Sequence, residues 1–215
     1  MTGATNAGLQ TAQAIREAAA QLFFDHGYEA TSLRAVAAEV GIKVGSLYNH
    51  IDSKEDLLLQ VMGSTMDDLM ALQEVALARS EDPLDRLLAF VECHIRFHAE
   101  HAQAVFIGNT ELRSLSEDAR AEIVSKRRDY QKLIESLILA TGEQGDAQVL
   151  DPRLHAFGIV AQGTHVASWY KPSGQYSLKE IVRVYSKIIL RGLGVKDADA
   201  KVHQHLNGVE STVAS

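Results

Sequence analysis

The chain has 215 residues, of which 46% are hydrophobic and 23% charged, which is typical of a globular protein with one large or two small domains. Its net charge of −7 at first argues against a polyanionic partner. The single cysteine, Cys93, excludes an intrachain disulfide, and there is neither an apolar run of about 20 residues nor a signal-peptide pattern, so we expect a cytoplasmic protein without a membrane partner.

The first predicted elements are a flexible arm and a helix. Residues 1–10 are small and polar, which is typical of a mobile terminus. Residues 11–26 predict a helix, because apolar side chains recur at spacings of three and four. The residues with this spacing are Ile15, Ala18, Ala19, Leu22 and Phe23. We expect Phe23 and Tyr28 to pack beneath the elements that follow.

The next segment predicts two short helices joined by a tight turn. Thr31 or Ser32 is a suitable N-cap, and Gly41 ends the first helix because glycine readily adopts the left-handed conformation. In the second helix, Leu47 and Ile51 are four residues apart and can face the core. This turns small or polar side chains outward, namely Lys43, Val44, Ser46 and Tyr48. This pattern is typical of a helix-turn-helix, whose second helix enters the DNA major groove.

The letters of this segment, from residue 31 onward, are TSLRAVAAEVGIKVGSLYNHIDSKEDLL. The string strongly resembles the DNA-binding domain of TetR-family transcriptional regulators, and the preceding pattern A-x-x-L-F-x-x-x-G-Y resembles the first helix and turn of that domain. The resemblance implies an all-α fold. It comprises a three-helix DNA-binding domain at residues 1–54, a helical ligand-binding and dimerisation domain at 55–195, and a polar tail at 196–215.

The family pattern also implies which side chains contact DNA. The implied phosphate contacts are Thr31, Ser32, Tyr48, His50 and Lys54. The implied contacts to base edges are Arg34, Lys43, Val44 and Ser46, and Gly45 and Asn49 complete the surface. Arginine binds guanine bidentately, and Val44 suits a thymine methyl group. Because the family usually has a small hydroxylated residue at position 43, Lys43 is expected to give specificity peculiar to this protein.

A dimer would place two recognition helices about 34 Å apart on a palindromic site. The first 55 residues hold four basic and six acidic side chains, so DNA affinity must come from the placement of the cations rather than from their number. The family often begins with a basic arm, whereas residues 1–13 contain no lysine or arginine. We therefore predict weak non-specific binding and a shallow salt dependence.

Apolar periodicity predicts a helical body for the rest of the chain. Pro83 suits the first turn of a helix capped by Asp82, Asp151 and Pro152 start another, and Ser177 caps the last. A long helix from residue 54 is predicted to break before Pro83. Further helices are predicted at residues 83–100, 117–140, 152–169 and 178–193, and residues 102–109 form a short segment. The last two of these helices carry small residues beside bulky aliphatic ones, which permits close packing. In the family that the chain resembles, these two helices form a homodimer interface.

The resemblance further implies a small-molecule pocket in the body. The predicted lining is Met62, Met66, Leu69, His94, Phe97, His98, Phe106, Asn109, Arg113, Arg127, Tyr130, His165 and Trp169. Plain core packing is an equal alternative for each of them. The stretches NTELRSL, KRRDY and SWYKPSG resemble a TetR subgroup that regulates fatty-acid and sterol catabolism, and several of its members respond to acyl-CoA thioesters. Arg113, Lys126, Arg127 and Arg128 then suit the phosphates of a CoA, or else form a solvated charge cluster.

Other classes of function find less support in the sequence. His94, His98 and His101 share a helix face, but a metal site would need a further ligand, so no metal or cofactor is expected. Cys93 and His94 are adjacent and point in different directions, and no catalytic motif accompanies them, so an enzyme is not expected. The favoured hypothesis is a dimeric repressor that an acyl-CoA or another lipophilic metabolite releases from a palindromic operator. A ligand-independent DNA-binding activator is the alternative.

Overall fold

The computed structural model describes the backbone of residues 6–213 and the side chains of residues 7–208. Within these residues every regular element is a helix, which confirms the predicted all-α fold. The helices are α1 Asn6–His26, α2 Leu33–Val40, α3 Val44–Leu47, α4 Lys54–Leu77, α5 Pro83–Glu100, α6 Ala102–Thr110, α7 Glu117–Glu143, α8 Pro152–Trp169, α9 Leu178–Gly192 and α10 Ala198–Val213. A short 3₁₀ turn, Leu112–Ser114, precedes α7.

The chain forms two compact units. The head unit consists of Met1–Asp67 and Gln103–Lys126, and the body unit consists of Asp68–Ala102 and Arg127–Ser215. The head unit is thus larger than the predicted DNA-binding domain, because α6 and the start of α7 belong to it. The predicted functional boundary at residue 54 stays a prediction.

The core of the head unit forms around α1. Its buried face presents Ile15, Ala19 and Phe23, and these residues belong to the same apolar cluster as Val36 of α2 and Leu47 of α3. The ring of Tyr28 meets the ring of Phe23 edge-on, with centroids 5.2 Å apart. The predicted packing of Phe23 and Tyr28 beneath the helix-turn-helix is therefore confirmed.

In the body unit, α5 packs against both α8 and α9, and α10 packs against α9. The predicted caps of these helices are confirmed. Asp82 accepts a hydrogen bond from the Asp85 N–H at 2.9 Å, and Asp151 accepts one from the Leu154 N–H at 2.8 Å. Ser177 begins α9 with a capping box, as its N-cap position predicted.

At both chain ends the structure contains helix that the sequence did not predict, within the residues that it describes. Residues 6–10 of the predicted flexible arm belong to α1, while residues 1–5 lie outside the described part. The predicted polar tail, residues 196–215, contains α10, in which Ala198, Val202 and Leu206 are buried. These three residues are spaced by four, so they form one apolar stripe along the helix. The residues between them are mostly polar, which makes the segment polar in overall composition.

Helix α4 ends at Leu77, before Pro83 as predicted, whereas α7 continues beyond its predicted end to Glu143. Among the described residues, no helix combines the length and the apolar character that a membrane span requires.

Candidate DNA-binding and effector sites

The helix-turn-helix is held by local hydrogen bonds. Ser32 caps α2, because its hydroxyl oxygen accepts a hydrogen bond from the Ala35 N–H at 3.2 Å. Gly41 has φ +75° and ends α2 in the left-handed conformation, as predicted. The N–H of Ile42 then donates to the carbonyl oxygen of Ala37 at 2.9 Å, which closes the turn. The direction in which the chain enters α3 is therefore fixed by the backbone.

Helix α3 is shorter than predicted and comprises only Val44–Leu47. The following residues continue as a tight turn, in which the N–H of His50 donates to the Leu47 carbonyl at 2.9 Å. Leu47 is fully buried, whereas Tyr48 is 54% exposed. The other predicted contacts on this segment, Lys43, Gly45, Ser46 and Asn49, are also exposed. The segment therefore packs on the core of the head unit through one apolar residue, and its polar groups face outward.

Thr31 does not belong to this exposed surface. It is buried, and its hydroxyl lies 3.1 Å from the Leu22 carbonyl and 2.9 Å from the Gly27 carbonyl. Since both acceptors are backbone carbonyls, the hydroxyl proton is used within the fold. This removes Thr31 as a phosphate contact and gives it the role of fastening the end of α1 to the start of α2.

The predicted basic contacts differ in whether their charged groups already have partners within the protein. Lys54 donates to the Glu29 carbonyl at 3.0 Å, and its ammonium lies 4.4 Å from the centre of the Tyr28 ring. Arg34 and Lys43 are exposed, and neither pairs with an acidic group among the side chains of residues 7–208. These two side chains are therefore available to an external anion or base.

The body unit contains a chain of buried hydrogen bonds. The Tyr130 hydroxyl lies 2.7 Å from His94 Nδ1, and Gln73 Nε2 donates both to that hydroxyl and to the Phe90 carbonyl, each at 3.0 Å. His94 Nε2 lies 3.1 Å from the Val160 carbonyl of α8. Because a carbonyl only accepts, Nε2 carries the proton and Nδ1 accepts the proton of the Tyr130 hydroxyl.

A second histidine extends this cluster. His98 Nδ1 donates to the His94 carbonyl at 2.8 Å, so His98 Nε2 accepts from the Thr164 hydroxyl at 3.3 Å. Burial lowers the pKa of His98 to about 4 and the pKa of His94 well below 6.5, while burial raises the pKa of Tyr130. The cluster is therefore polar but uncharged at neutral pH.

Helix α8 approaches this cluster at a glycine. A Cβ atom on Gly163 would lie 2.2 Å from Cδ2 and 2.7 Å from Nε2 of His94. The ring of His94 thus occupies the space that any other residue at position 163 would need. Close contact of α5 with α8 depends on this glycine.

The predicted effector residues divide between the two units. Those in the head unit are Met62, Met66, Phe106, Asn109 and Arg113, and those in the body unit are Leu69, His94, Phe97, His98, Arg127, Tyr130, His165 and Trp169. The structure brings His94, His98 and Tyr130 together, whereas His165 is exposed beside Ser168, and the Trp169 ring faces Tyr185 with centroids 6.5 Å apart. A pocket built from both sets stays a prediction.

Two members of the polar cluster, Gln73 and Thr164, were missed by the sequence prediction. Gln73 lies four residues after Leu69 and four before Leu77, so it is a polar residue at a core position of α4. That spacing was a usable signal for Gln73. Thr164 gave no such signal, because a threonine inside a helix commonly bonds to its own backbone.

The basic residues proposed for a CoA differ in their surroundings. Lys126 pairs with Asp67, while Arg113 and Arg128 are exposed. Arg127 is partly buried, and burial lowers its pKa. Of the four basic residues proposed for a CoA, only Arg113 and Arg128 therefore present an exposed guanidinium group.

The chemistry of Cys93 and its neighbours does not suit a catalytic or metal site. Burial raises the pKa of the Cys93 thiol to about 11, so the reactive thiolate is disfavoured. His101 stacks on Phe97 and lies 2.9 Å from the Phe97 carbonyl. Within the described residues, no three His, Cys, Asp or Glu side chains are grouped so as to hold a metal ion.

An apolar surface lies on α8 and α9. Leu154 and Phe157 of α8 are 68% and 48% exposed, and Val184 and Ile188 of α9 are 43% and 50% exposed. These pairs are spaced by three and four residues, so each pair lies on one helix face. Large apolar side chains concentrated on two neighbouring segments of the chain indicate a protein–protein contact.

The fold and these sites define the class of all-helical regulators with a helix-turn-helix head. The family model described as bacterial regulatory proteins of the tetR family matches residues 15–61, and the model described as the tetracyclin repressor-like C-terminal domain matches residues 80–193. The second match alone covers more than half of the chain. The chain therefore belongs to the TetR family, and it is a transcriptional regulator, as its sequence predicted.

Several named proteins and solved structures are similar to this chain. The transcriptional repressor KstR2 of Mycolicibacterium smegmatis is 31% identical over 84% of this chain and 89% of its own length. A TetR-family protein from Rhodococcus RHA1 has a crystal structure with a TM-score of 0.81 and 31% identity, covering 87% of this chain and 99% of that one. The structure of AibR with isovaleryl coenzyme A and operator DNA has a TM-score of 0.73 and 29% identity, covering 80% and 94%.

Proposed function

We propose that this regulator is a homodimeric repressor that binds a palindromic operator and leaves it when an acyl-CoA binds the body unit. The observation that carries the DNA-binding part is the segment of α3, in which Leu47 is buried and the polar side chains on both sides are exposed. A protein that acts on DNA in this way works in the cytoplasm of a bacterium and needs no catalytic group.

The DNA contacts divide by chemistry. Arg34, Lys43, Val44 and Ser46 read base edges, and Ser32, Tyr48, Asn49, His50 and Lys54 contact the backbone, while Gly45 allows close approach. Arg34 and Lys43 are the stronger candidates, because they are exposed and have no acidic partner among the described side chains. Lys54 must keep or exchange its bond to the Glu29 carbonyl, so its contribution to DNA affinity is smaller.

The homodimer forms through α8 and α9. Leu154, Phe157, Val184 and Ile188 supply the exposed apolar area that a stable dimer buries. Replacing Phe157 by aspartate puts a charge into that contact and should give a monomer in sedimentation. Leu150 is exposed and apolar but precedes α8, so Leu150→Asp is the matched control. A Phe157→Asp protein that stays dimeric would exclude this interface.

The acyl-CoA effector is supported by two observations. AibR, a structural neighbour, is known in complex with isovaleryl coenzyme A and operator DNA. The body unit offers an uncharged interior lined by His94, His98 and Tyr130, while Arg128 is exposed for the phosphates. Release requires only that the acyl-CoA binds more tightly to a conformation that does not fit the operator.

The test is an anisotropy titration of the purified protein on DNA from beside its own gene, with and without acyl-CoAs of several lengths. Specific binding that one acyl-CoA abolishes supports both parts of the proposal. Specific binding that no acyl-CoA affects excludes this effector class and favours the ligand-independent activator. No specific binding to any tested operator fragment would contradict the DNA-binding assignment.

Variants then assign the contacts. Lys43→Ala should relax the sequence preference at one base pair, whereas Tyr48→Phe should weaken binding to all operators alike. Lys196 is exposed in the body unit, far along the chain from α3, and Lys196→Ala is the control for loss of one positive charge. A Lys43→Ala protein with unchanged preference at every operator position would exclude Lys43 as a base contact.

A further inference from the structure

One fully buried side chain of the body unit has an incomplete set of hydrogen bonds. Within residues 7–208, four buried side-chain atoms lack a hydrogen-bond partner, and Gln73 Oε1 is the one that belongs to a residue with no solvent exposure. Nearly all buried polar atoms in proteins are paired. The unpaired oxygen of Gln73 therefore calls for a physical explanation.

The surrounding bonds fix the orientation of the Gln73 amide. Its Nε2 donates to the Phe90 carbonyl and to the Tyr130 hydroxyl, each at 3.0 Å. Reversing the amide would place Oε1 against the Phe90 carbonyl, where two acceptors would meet. The oxygen is therefore the atom left without a donor.

The groups bonded to Gln73 and Tyr130 have no proton left for Gln73 Oε1. The Tyr130 hydroxyl donates its only proton to His94 Nδ1, and His94 Nε2 donates to the Val160 carbonyl. Both of these protons are already used in hydrogen bonds, and both bonds are directed towards α8. Gln73 Oε1 is therefore free to accept a hydrogen bond from a bound molecule.

We propose that Gln73 is the polar anchor of the effector site, and that its Oε1 accepts a hydrogen bond from an uncharged hydroxyl group on the acyl part of the effector. This inference rests on the acyl-CoA effector proposed above and narrows its class to hydroxylated acyl thioesters. A charged donor is disfavoured, because the cluster around Gln73 is buried and offers no counter-charge.

Four helices converge on this anchor. Gln73 lies on α4, His94 on α5, Tyr130 on α7 and Thr164 on α8, and hydrogen bonds connect them in sequence. A donor that fixes Gln73 also fixes the amide that holds Tyr130, and Tyr130 in turn holds His94 against α8. Binding at Gln73 is thus coupled to the helix that carries Leu154 and Phe157.

The experiment compares matched ligands on the full-length protein by isothermal titration. The probes are butanoyl-, octanoyl- and hexadecanoyl-CoA, each beside its 3-hydroxy and its terminally hydroxylated derivative. Because a paired buried acceptor replaces an unpaired one, the best hydroxylated probe should bind about tenfold more tightly than its parent. Equal affinities for every pair would overturn the anchor while leaving the acyl-CoA effector in place.

Two variants locate the origin of the preference. Gln73→Met removes the acceptor at similar volume and should abolish the hydroxyl preference. Tyr130→Phe breaks the network but leaves Gln73 Oε1 and its bond to the Phe90 carbonyl, so the preference should remain. A preference that survives in Gln73→Met would exclude this residue as its source.

If Gln73→Met does not fold, the comparison of hydroxylated and parent acyl-CoAs on the wild-type protein is sufficient to test the proposal. Binding of none of the thioesters, with operator binding intact, would overturn the acyl-CoA effector and this anchor together. If the wild-type protein binds no operator, the DNA-binding assignment is contradicted instead. The proposed role of Gln73 does not depend on that assignment.

Discussion

Replacing Gly163 by alanine tests whether the contact of α5 with α8 depends on the missing side chain. The new Cβ would lie 2.2 Å from His94 Cδ2, well inside the 3.0 Å below which such contacts do not occur. His94 has no room to retreat, since it stacks on the Phe90 ring and bonds to the Tyr130 hydroxyl at 2.7 Å. Either His94 leaves its position or α8 moves away from α5.

The expected loss of stability follows from three contributions. Overpacking of a filled interior costs about 1–3 kcal/mol, and breaking the bond from His94 to the Val160 carbonyl costs about 1–3 kcal/mol more. Alanine offsets about 0.5–1 kcal/mol of this loss, because it restricts the conformations of the unfolded chain more than glycine does. The net loss is about 3 kcal/mol, which lowers the melting temperature by about 10 °C for a chain of this length.

The assay is thermal unfolding of both proteins at equal concentration, followed by circular dichroism. Gly63 lies inside α4 with open space around its missing Cβ, so Gly63→Ala is the matched control and should be neutral or stabilising. In a His94→Ala background the clash is gone, and Gly163→Ala should then cost nothing. An unchanged melting temperature for Gly163→Ala, or an equal loss in both backgrounds, would refute the reasoning.

Three further predictions concern stability. Because burial lowers the pKa of His94 and His98, the unfolded chain binds more protons than the folded one in acid. Stability should be complete above pH 6.5 and fall as the pH approaches about 4, and a urea midpoint that stays constant over this range would contradict it. Ser177→Ala should cost about 1 kcal/mol in urea unfolding through loss of the α9 cap, whereas Ser173→Ala in the exposed turn should have no effect. Leu206→Ala should cost about 2 kcal/mol by the same measurement, and no change would mean that α10 is not packed as observed.

The local features of this fold could be predicted because their causes are local. A cap needs one side chain and the N–H three residues later, as Asp82, Asp151 and Ser177 illustrate. The end of α2 needs one residue that accepts positive φ, which Gly41 provides. In each case the sequence window that causes the structure is only a few residues wide.

The polar cluster could not be predicted in the same way, because its partners are far apart in the chain. His94 is 36 residues from Tyr130 and 66 from Val160, and helical spacing carries no information on which helices meet. The burial of Thr31 has the same origin, since its hydroxyl reaches back nine residues to the Leu22 carbonyl of α1. Composition also misled at α10, where an apolar stripe of three residues is enough for packing against α9.

The acidic charge of the chain is compatible with DNA binding if the few cations of the head contact the DNA. Each head presents Arg34, Lys43 and Lys54, so a dimer bringing all of them to phosphates would release about six counterions and give a salt slope of about −5. If Arg34 and Lys43 read bases and only Lys54 meets a phosphate, the slope falls to about −2. Operator binding measured across salt concentrations should lie between these values and nearer to −2. A slope steeper than about −5 would require cations other than Arg34, Lys43 and Lys54, and would contradict the assignment of DNA affinity to these three residues.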